Sequence, residues 1–280
     1  MFEIGVIGAG ELGGAVAHVL AQRDVAGVIR LIDESGRVAE GKALDIMQSA
    51  PVHPFSTVVS GSTSLAPSAG AAVLVVADRA KEGEWLGADS LALLKRIAQL
   101  GSQSIVLWAA QGGREAIERG VRELKFPRTR LFGSAPEGLA SAVRAVVAAE
   151  NGGSAQDVAL TVIGVPPRQS IVPWEDATIG GFRATSVLDE PTRRRLAEKV
   201  GPLWPPGPYA LAWAAAKAID ALAGSGTQTI SAFVAADDSN GRRARAAALP
   251  VRLGPAGITR IELPSLNSRD RVALDNAMML

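Results

Sequence analysis

The sequence predicts an α/β fold: a doubly wound parallel sheet followed by a mixed α+β domain. Three observations predict it. Short apolar runs alternate with amphipathic stretches through the first half of the chain. The first of these runs ends in glycines spaced as Gly8, Gly10 and Gly13 and leads directly into a helical pattern. Beyond Ser134 the alternation gives way to strands joined by polar turns, interspersed with helices. At 280 residues the chain is long enough for two domains, which we place at 1–133 and 134–280.

The elements follow in order. Residues 2–7 form an apolar strand, the glycine turn follows, and a helix runs to Arg23. Residues 28–32 form a second apolar strand that ends at Asp33. Residues 37–50 are helical and stop at Pro51, which has no N–H to continue a helix. Residues 57–60 are a short strand, and the Ala/Val run at 71–77 suits a strand buried on both faces. Residues 90–100 carry helical spacing in Leu91, Leu94, Ile97 and Ala98, with Gly101 as the stop. A buried strand at 105–109, a helix at 114–124, a short strand at 130–132 and a helix at 137–150, closed by Asn151-Gly152-Gly153, complete the alternation. In the second half, 158–163 reads as a strand, and Ile171-Val172 begins another. Residues 191–200 and 210–223 read as helices. Residues 229–235 and 246–253 are strands joined by the polar turn Asp237-Asp238-Ser239-Asn240-Gly241, 258–263 adds a strand, and a helix runs from Ser268 to the end. The proline-rich segment 201–208, with Trp204, reads as a stiff connector.

The glycine spacing carries chemistry because of where it lies. Gly8 permits a tight turn, and Gly10 lets a pyrophosphate approach backbone N–H groups at a helix N-terminus. Gly13 lets that helix pack close to the sheet. Asp33, twenty residues after Gly13, is placed to accept hydrogen bonds from ribose hydroxyls and to repel a 2′-phosphate. Gly8, Ala9, Gly10, Glu11, Leu12, Gly13 and Asp33 are therefore the candidate cofactor residues of a Rossmann-type domain, and they favour NAD. Arg37 is the feature that would suit NADP. The competing reading keeps the glycines for packing alone.

Composition narrows the classes. Hydrophobic residues make up 48% and charged residues 20%, which suits a globular chain. The net charge is +1 with no concentrated basic face, which argues against a nucleic-acid partner. There is no cysteine, so disulfides and thiol chemistry are excluded, and a reducing cytoplasm fits. The N-terminus enters a strand without a signal-peptide pattern, and no apolar run reaches the roughly eighteen residues of a membrane span. The whole chain holds two histidines, His18 and His53.

Nearly end to end, the sequence resembles the NAD-dependent malate and lactate dehydrogenases, most of all the bacterial malate type. The turn from Gly8 to Gly13 with Ala17-His18 is similar to that family's first turn and helix. The segment from Glu40 to Ile46, followed by Ser49-Ala50-Pro51-Val52, resembles its G-K-A-L-D-L and A-P-V segments. Pro250-Val251-Arg252-Leu253-Gly254 and the stretch from Gly257 to Pro264 resemble its ending. The resemblance implies a C-terminal domain of the lactate/malate dehydrogenase type, NAD as cofactor with Ala77 beside it, and a homo-oligomer, dimer or tetramer. Helices such as 37–50 and 210–223 would form the contact. It implies hydride transfer between nicotinamide and a 2-hydroxy acid. Such a reaction uses a histidine for proton transfer, an aspartate to orient it, arginines to grip a carboxylate and an asparagine near the reacting oxygen.

The chain departs from that set. Pro166 or Pro167 stands where the resemblance places the histidine, and neither His18 nor His53 replaces it by position. Leu139 stands for the aspartate, Ala142 for the first substrate arginine, Ala109-Ala110-Gln111 for the asparagine segment and Ala88 for an arginine of the mobile loop. Arg144 matches only the second arginine of its segment. General acid–base catalysis alone contributes about 10²–10⁴ in rate, so this loss predicts that the nominal activity is abolished or redirected. The low-polarity pocket leaves Arg168, Gln169 and Arg79 as its polar candidates, with Lys81 as another cation on the shortened loop. No metal site is expected. Asp78, where the family has T-A-G, either repels a pyrophosphate or points to solvent. Three readings stay open: a dehydrogenase with an altered substrate, an NAD(H)-binding sensor, or a structural subunit.

Overall fold

The computed structural model describes residues 2–101, 103–224, 229–236 and 245–279. The first half alternates as expected. Strand β1 is Glu3–Ile7, helix α1 Glu11–Gln22, β2 Val28–Ile32, α2 Gly36–Ser49 and β3 Val58–Ser62. Then come β4 Val73–Val76, α3 Gly87–Gln99, β5 Ile105–Trp108, α4 Gly113–Leu124, β6 Leu131–Gly133 and α5 Ala135–Asn151. The second half contains β7 Val158–Ala159, β8 Ile163–Val165, β9 Gln169–Ile171, β10 Thr178–Ile179 and β11 Phe182–Arg183. It continues with α6 Ala184–Val187, α7 Glu190–Val200, α8 Pro208–Leu222, β12 Ile230–Ala235, β13 Ala246–Gly254, β14 Gly257–Ile261 and α9 Ser268–Met279.

The main sheet runs in the order β3-β2-β1-β4-β5-β6-β12-β13-β8-β9, with β14 paired to β13. The strands from β3 to β6 are parallel, and the antiparallel portion begins where β12 meets β6 at Phe233 and Gly133. The parallel strands are nearly continuous Val, Ile and Leu because helices cover both faces; β4 and β5 are buried at every position. The strand order reverses between β1 and β4, which opens a crevice at their carboxyl ends.

Two hydrophobic clusters hold the molecule. The larger spans the sheet with α1, α3, α4 and α8. The smaller lies between α5, β7, β10 and α7 around Leu139, Val143, Leu160, Ile179 and Leu196. Trp204 packs against both, its ring edge-on to Phe233 with centroids 5.8 Å apart. The segment read as a stiff connector therefore also wedges the two clusters together.

Several elements differ from expectation. The single strand expected at 158–163 is divided: β7 joins a small sheet with β10 and β11, and β8 joins the main sheet. Between them the Val162 N–H donates to Ser231 Oγ at 2.9 Å, and the Leu160 carbonyl accepts from Arg144. Both groups are thus drawn out of a strand ladder. Ile171 ends a strand instead of beginning one, because β9 turns back on β8 before Pro173. The hairpin β10–β11 was missed. Its Gly180 and Gly181 have φ of +58° and +83°, the conformation a two-residue hairpin turn requires at both central positions. Helix α3 begins three residues earlier than its apolar spacing indicated, at Gly87. The Asp237–Gly241 turn lies outside the described residues.

Gly13 shows how tightly α1 sits on the sheet: a Cβ there would lie 2.0 Å from the Gly8 carbonyl oxygen. Gly13→Ala should therefore destabilise the fold by about 1–3 kcal/mol through overpacking. Gly41→Ala, in α2 with open space around it, should stabilise by roughly 0.5–1 kcal/mol. Urea unfolding midpoints of the two variants check this contrast.

Candidate dinucleotide crevice

The crevice is built from the carboxyl ends of β1, β2, β4 and β5. At the end of β1 the chain turns through Gly8, whose φ is +105° and whose N–H donates to the Ile32 carbonyl at 2.7 Å. Ala9 is fully buried, Leu12 anchors α1 in the core and Glu11 is exposed at its first turn. Ala77 is fully buried beyond β4 and donates its N–H to Ile7. The sequence-predicted cofactor residues are thus brought to one place, at the head of α1.

The space over that head is filled by the chain itself. The Gly10 N–H donates to the Asp78 carbonyl at 2.9 Å. The Gly13 N–H donates to Asp78 Oδ1 at 3.0 Å. A Cβ on Gly10 would lie 2.2 Å from Asp78 Oδ2, so the carboxylate rests directly on the glycine that a pyrophosphate needs bare. Lys42 reaches from α2 to donate to the Gly10 carbonyl, its stem against Gly14. Of the two orientations open to Asp78 from sequence, the structure has the inward one.

Asp33 is also engaged. It is only 6% exposed, and its Oδ2 accepts from Ala9 N–H at 2.8 Å and from Ala80 N–H at 2.9 Å. Its Oδ1 accepts from Ser35 N–H at 2.8 Å. Ala80 belongs to the same loop as Asp78, between β4 and α3.

That loop is held closed by its own contacts. Arg79 N–H donates to the Gly83 carbonyl at 2.8 Å, and the guanidinium stacks 4.5 Å from the centroid of the buried Trp85 ring. The same guanidinium pairs with Glu82 and Asp89 and donates to the Glu84 carbonyl. Arg79 is therefore spent on the loop and the first turn of α3, and Lys81 is exposed. Glu84 turns the other way: its carboxylate accepts from Gly112 N–H at 2.9 Å and Gln111 N–H at 3.3 Å, at the head of α4. One loop thus lays a carboxylate on each of two helix N-termini, where the dipole favours negative charge. Burial nevertheless holds the Glu84 carboxyl above its ordinary range, with the neighbouring Asp78 charge adding in the same direction.

The remaining candidates lie elsewhere. Pro166 and Pro167 form the β8–β9 turn, Arg168 is exposed in it, and Gln169 pairs with Val165. No described contact joins Arg168 to Arg79. Ala109, Ala110 and Leu139 are buried, and Ala142 is half-buried. His18 lies on the outer side of α1, in a cleft shared with Lys42, Asp45 and Tyr209, and His53 is exposed after α2. Among the described residues no group of His, Asp or Glu is placed to hold a metal ion.

Sequence reasoning missed one buried charge cluster. Glu137, 2% exposed on α5, accepts from Lys217 at 2.7 Å, Arg144 at 2.9 Å and the Ser231 N–H at 2.9 Å. It lies at the floor of a cleft of about 440 Å³ also lined by Arg23, Trp213 and Asp220. Its signal was an acidic residue among the small apolar residues of a helix. Arg144, unassigned from sequence, serves this cluster and the Leu160 carbonyl.

No family model matches the chain. Whole proteins do. It is 25% identical over 289 residues to the malate dehydrogenase of Thermomicrobium roseum, covering 97% of this chain and 93% of that one. It is 27% identical to the malate dehydrogenase of Thioalkalivibrio sulfidiphilus, with 99% and 96% covered. Over nearly its whole length the chain is thus similar to malate dehydrogenases, and its fold is that of malate and lactate dehydrogenases. Its fold superposes on the Salinibacter ruber malate dehydrogenase with a TM-score of 0.88, at 22% identity and with 99% and 94% of the chains covered. A lactate dehydrogenase from a deep-sea metagenome library gives 0.87 at 17% identity, with 99% and 96% covered.

The raised Glu84 carboxyl has a measurable consequence. Because the folded state holds this proton more tightly than the unfolded state, its contribution to stability is greatest at low pH. It falls as pH rises from the ordinary carboxylate range through the raised folded value. Urea midpoints measured from pH 4 to 8 should show the wild type losing stability relative to Glu84→Gln across that window. A constant difference between the two would contradict it.

Proposed function

We propose that this family member does not oxidise or reduce 2-hydroxy acids and acts instead as a self-associating subunit. The observation that carries the reading is the placement of the two histidines. Proton transfer at a substrate oxygen near neutral pH suits an imidazole within hydrogen-bond reach. His18 lies between α1 and α2 and His53 lies in solvent, while Pro166 and Pro167 occupy the β8–β9 turn. The buried Leu139, Ala109 and Ala110 supply no hydrogen-bonding side chain in their place. Arg168, in the turn itself, offers N–H donors and no acceptor for a proton.

If the cradle takes a dinucleotide, Asp33 and the glycines from Gly8 to Gly13 favour NAD. They do not fit it in this arrangement, because Asp78 fills the space over Gly10. The self-association half of the reading rests on α2 and α8. Leu44 is 60% exposed, Tyr209 73% and Trp213 51%, and Tyr209 reaches the cleft beside Lys42 and Asp45. Large apolar groups exposed on two helices that both pack against α1 favour a protein partner. A second copy of the chain is the partner that family resemblance suggests, in a cytoplasmic setting that a cysteine-free chain fits.

The purified protein should give no NADH-dependent reduction of oxaloacetate or pyruvate approaching the roughly 10⁴–10⁸ M⁻¹s⁻¹ of ordinary enzymes. A rate in that range would overturn the proposal. Sedimentation velocity should find a dimer or larger species, and Trp213→Glu should shift it toward monomer. A wild-type chain that sediments as a monomer at micromolar concentration would remove the subunit reading.

A further inference from the structure

We infer that the segment from Asp78 to Glu84 is a built-in occupant of the dinucleotide cradle, a tethered stand-in that makes the folded chain unreceptive to NAD(H). Three contacts place it there. The Asp78 carboxylate takes the Gly13 N–H and covers Gly10, which is the pyrophosphate position. The Asp78 carbonyl takes the Gly10 N–H, the neighbouring donor of the same turn. The Ala80 N–H donates to Asp33 Oδ2, the acceptor that would receive a ribose hydroxyl. Phosphate and ribose handles are thus satisfied together, by residues only two apart.

The occupant is fixed from outside the cradle as well. Arg79 bridges Glu82, Asp89 and the Trp85 ring, and Glu84 ties the far end of the loop to the head of α4. A pyrophosphate would have to displace the Asp78 carboxylate, or else lie against its charge. Because the carboxylate belongs to the chain, it competes at a high effective concentration. This inference stands apart from the absence of turnover: a receptive cradle with no proton-transfer group would also be silent, yet would bind NADH.

Titration of NADH fluorescence with the full chain separates the two. Wild type should show no saturable binding up to about 1 mM, an affinity scale near the weak end of specific recognition. Asp78→Gly, which removes the carboxylate and the side-chain bulk, should bind at least about tenfold more tightly, a gap of about 1.4 kcal/mol. Asp78→Asn keeps the size of the side chain, loses the charge and should fall between them; it carries the test alone should D78G fail to show a cooperative thermal transition. Hydrogen exchange gives a second readout: NADH should leave residues 8–14 and 78–84 unaltered in wild type and protect 8–14 in D78G. Micromolar binding by wild type would overturn the inference, as would folded variants that stay as unreceptive as wild type. Neither result would bear on the missing histidine, which the turnover assay tests.

Discussion

The seating of the Asp78 carboxylate on the first turn of α1 is the contact on which the crevice depends. A helix N-terminus leaves backbone N–H groups without intrahelical partners. In α1 no side chain of the N-cap residue can serve them, because that residue is Gly10. Something anionic has to stand there or water must. Asp78 meets the need from across the sheet, joining the turn after β1 to the loop after β4 at the point where the strand order reverses. An anion near a helix N-terminus contributes about 0.3–1 kcal/mol when exposed and up to about 2 kcal/mol when partly buried. That is modest as a stabilising interaction. As a competitor it counts for more, since a tethered group of that strength raises the affinity any free ligand needs by roughly twofold when exposed and up to about thirtyfold when partly buried.

The rest of the loop follows from this seating. Once Asp78 points inward, the next residues descend into the crevice and Ala80 meets Asp33. The chain must then climb out again, and Arg79 makes the turn by bonding back to Gly83 and stacking on Trp85. Trp85 in turn is buried against the main core, so the loop is packed rather than draped. Glu84 completes it at α4, with its ionised form disfavoured by burial and by Asp78. Two carboxylates of like charge in one short loop are tolerable because each has a different helix N-terminus to serve.

Much of the fold was legible in the sequence because its signals are local. Gly8, Gly10, Gly13 and the buried runs of β4 and β5 announce a parallel sheet through residue type and spacing alone. The sequence was less informative where a distant partner decides the outcome. The strand at 158–163 divides because Ser231 and Arg144 claim its backbone groups, and both contacts arrive from other elements. The Gly180-Gly181 hairpin was readable from its dipeptide but is so short that no apolar alternation flanks it. In the crevice the glycines and Asp33 were identifiable by type. That Asp33 is already saturated by Ala9, Ser35 and Ala80 was not, since the Ala80 contact depends on a loop whose path is set by tertiary packing.

The buried charge of this protein fastens elements of its frame. Around the β8–β9 turn and near the start of α5 the chain places Pro166, Pro167 and a buried Leu139. Two residues before Leu139 on the same helix, Glu137 is buried with Lys217 and Arg144 and accepts from the Ser231 N–H of β12. Unpaired, that carboxylate would cost several kcal/mol; with its cations and a backbone donor it joins α5, α8 and β12. The charge of Glu137, Lys217 and Arg144 fastens elements together. The same holds at Asp78, where a carboxylate that excludes a free phosphate serves the backbone instead. Both carboxylates are satisfied by groups of the chain itself.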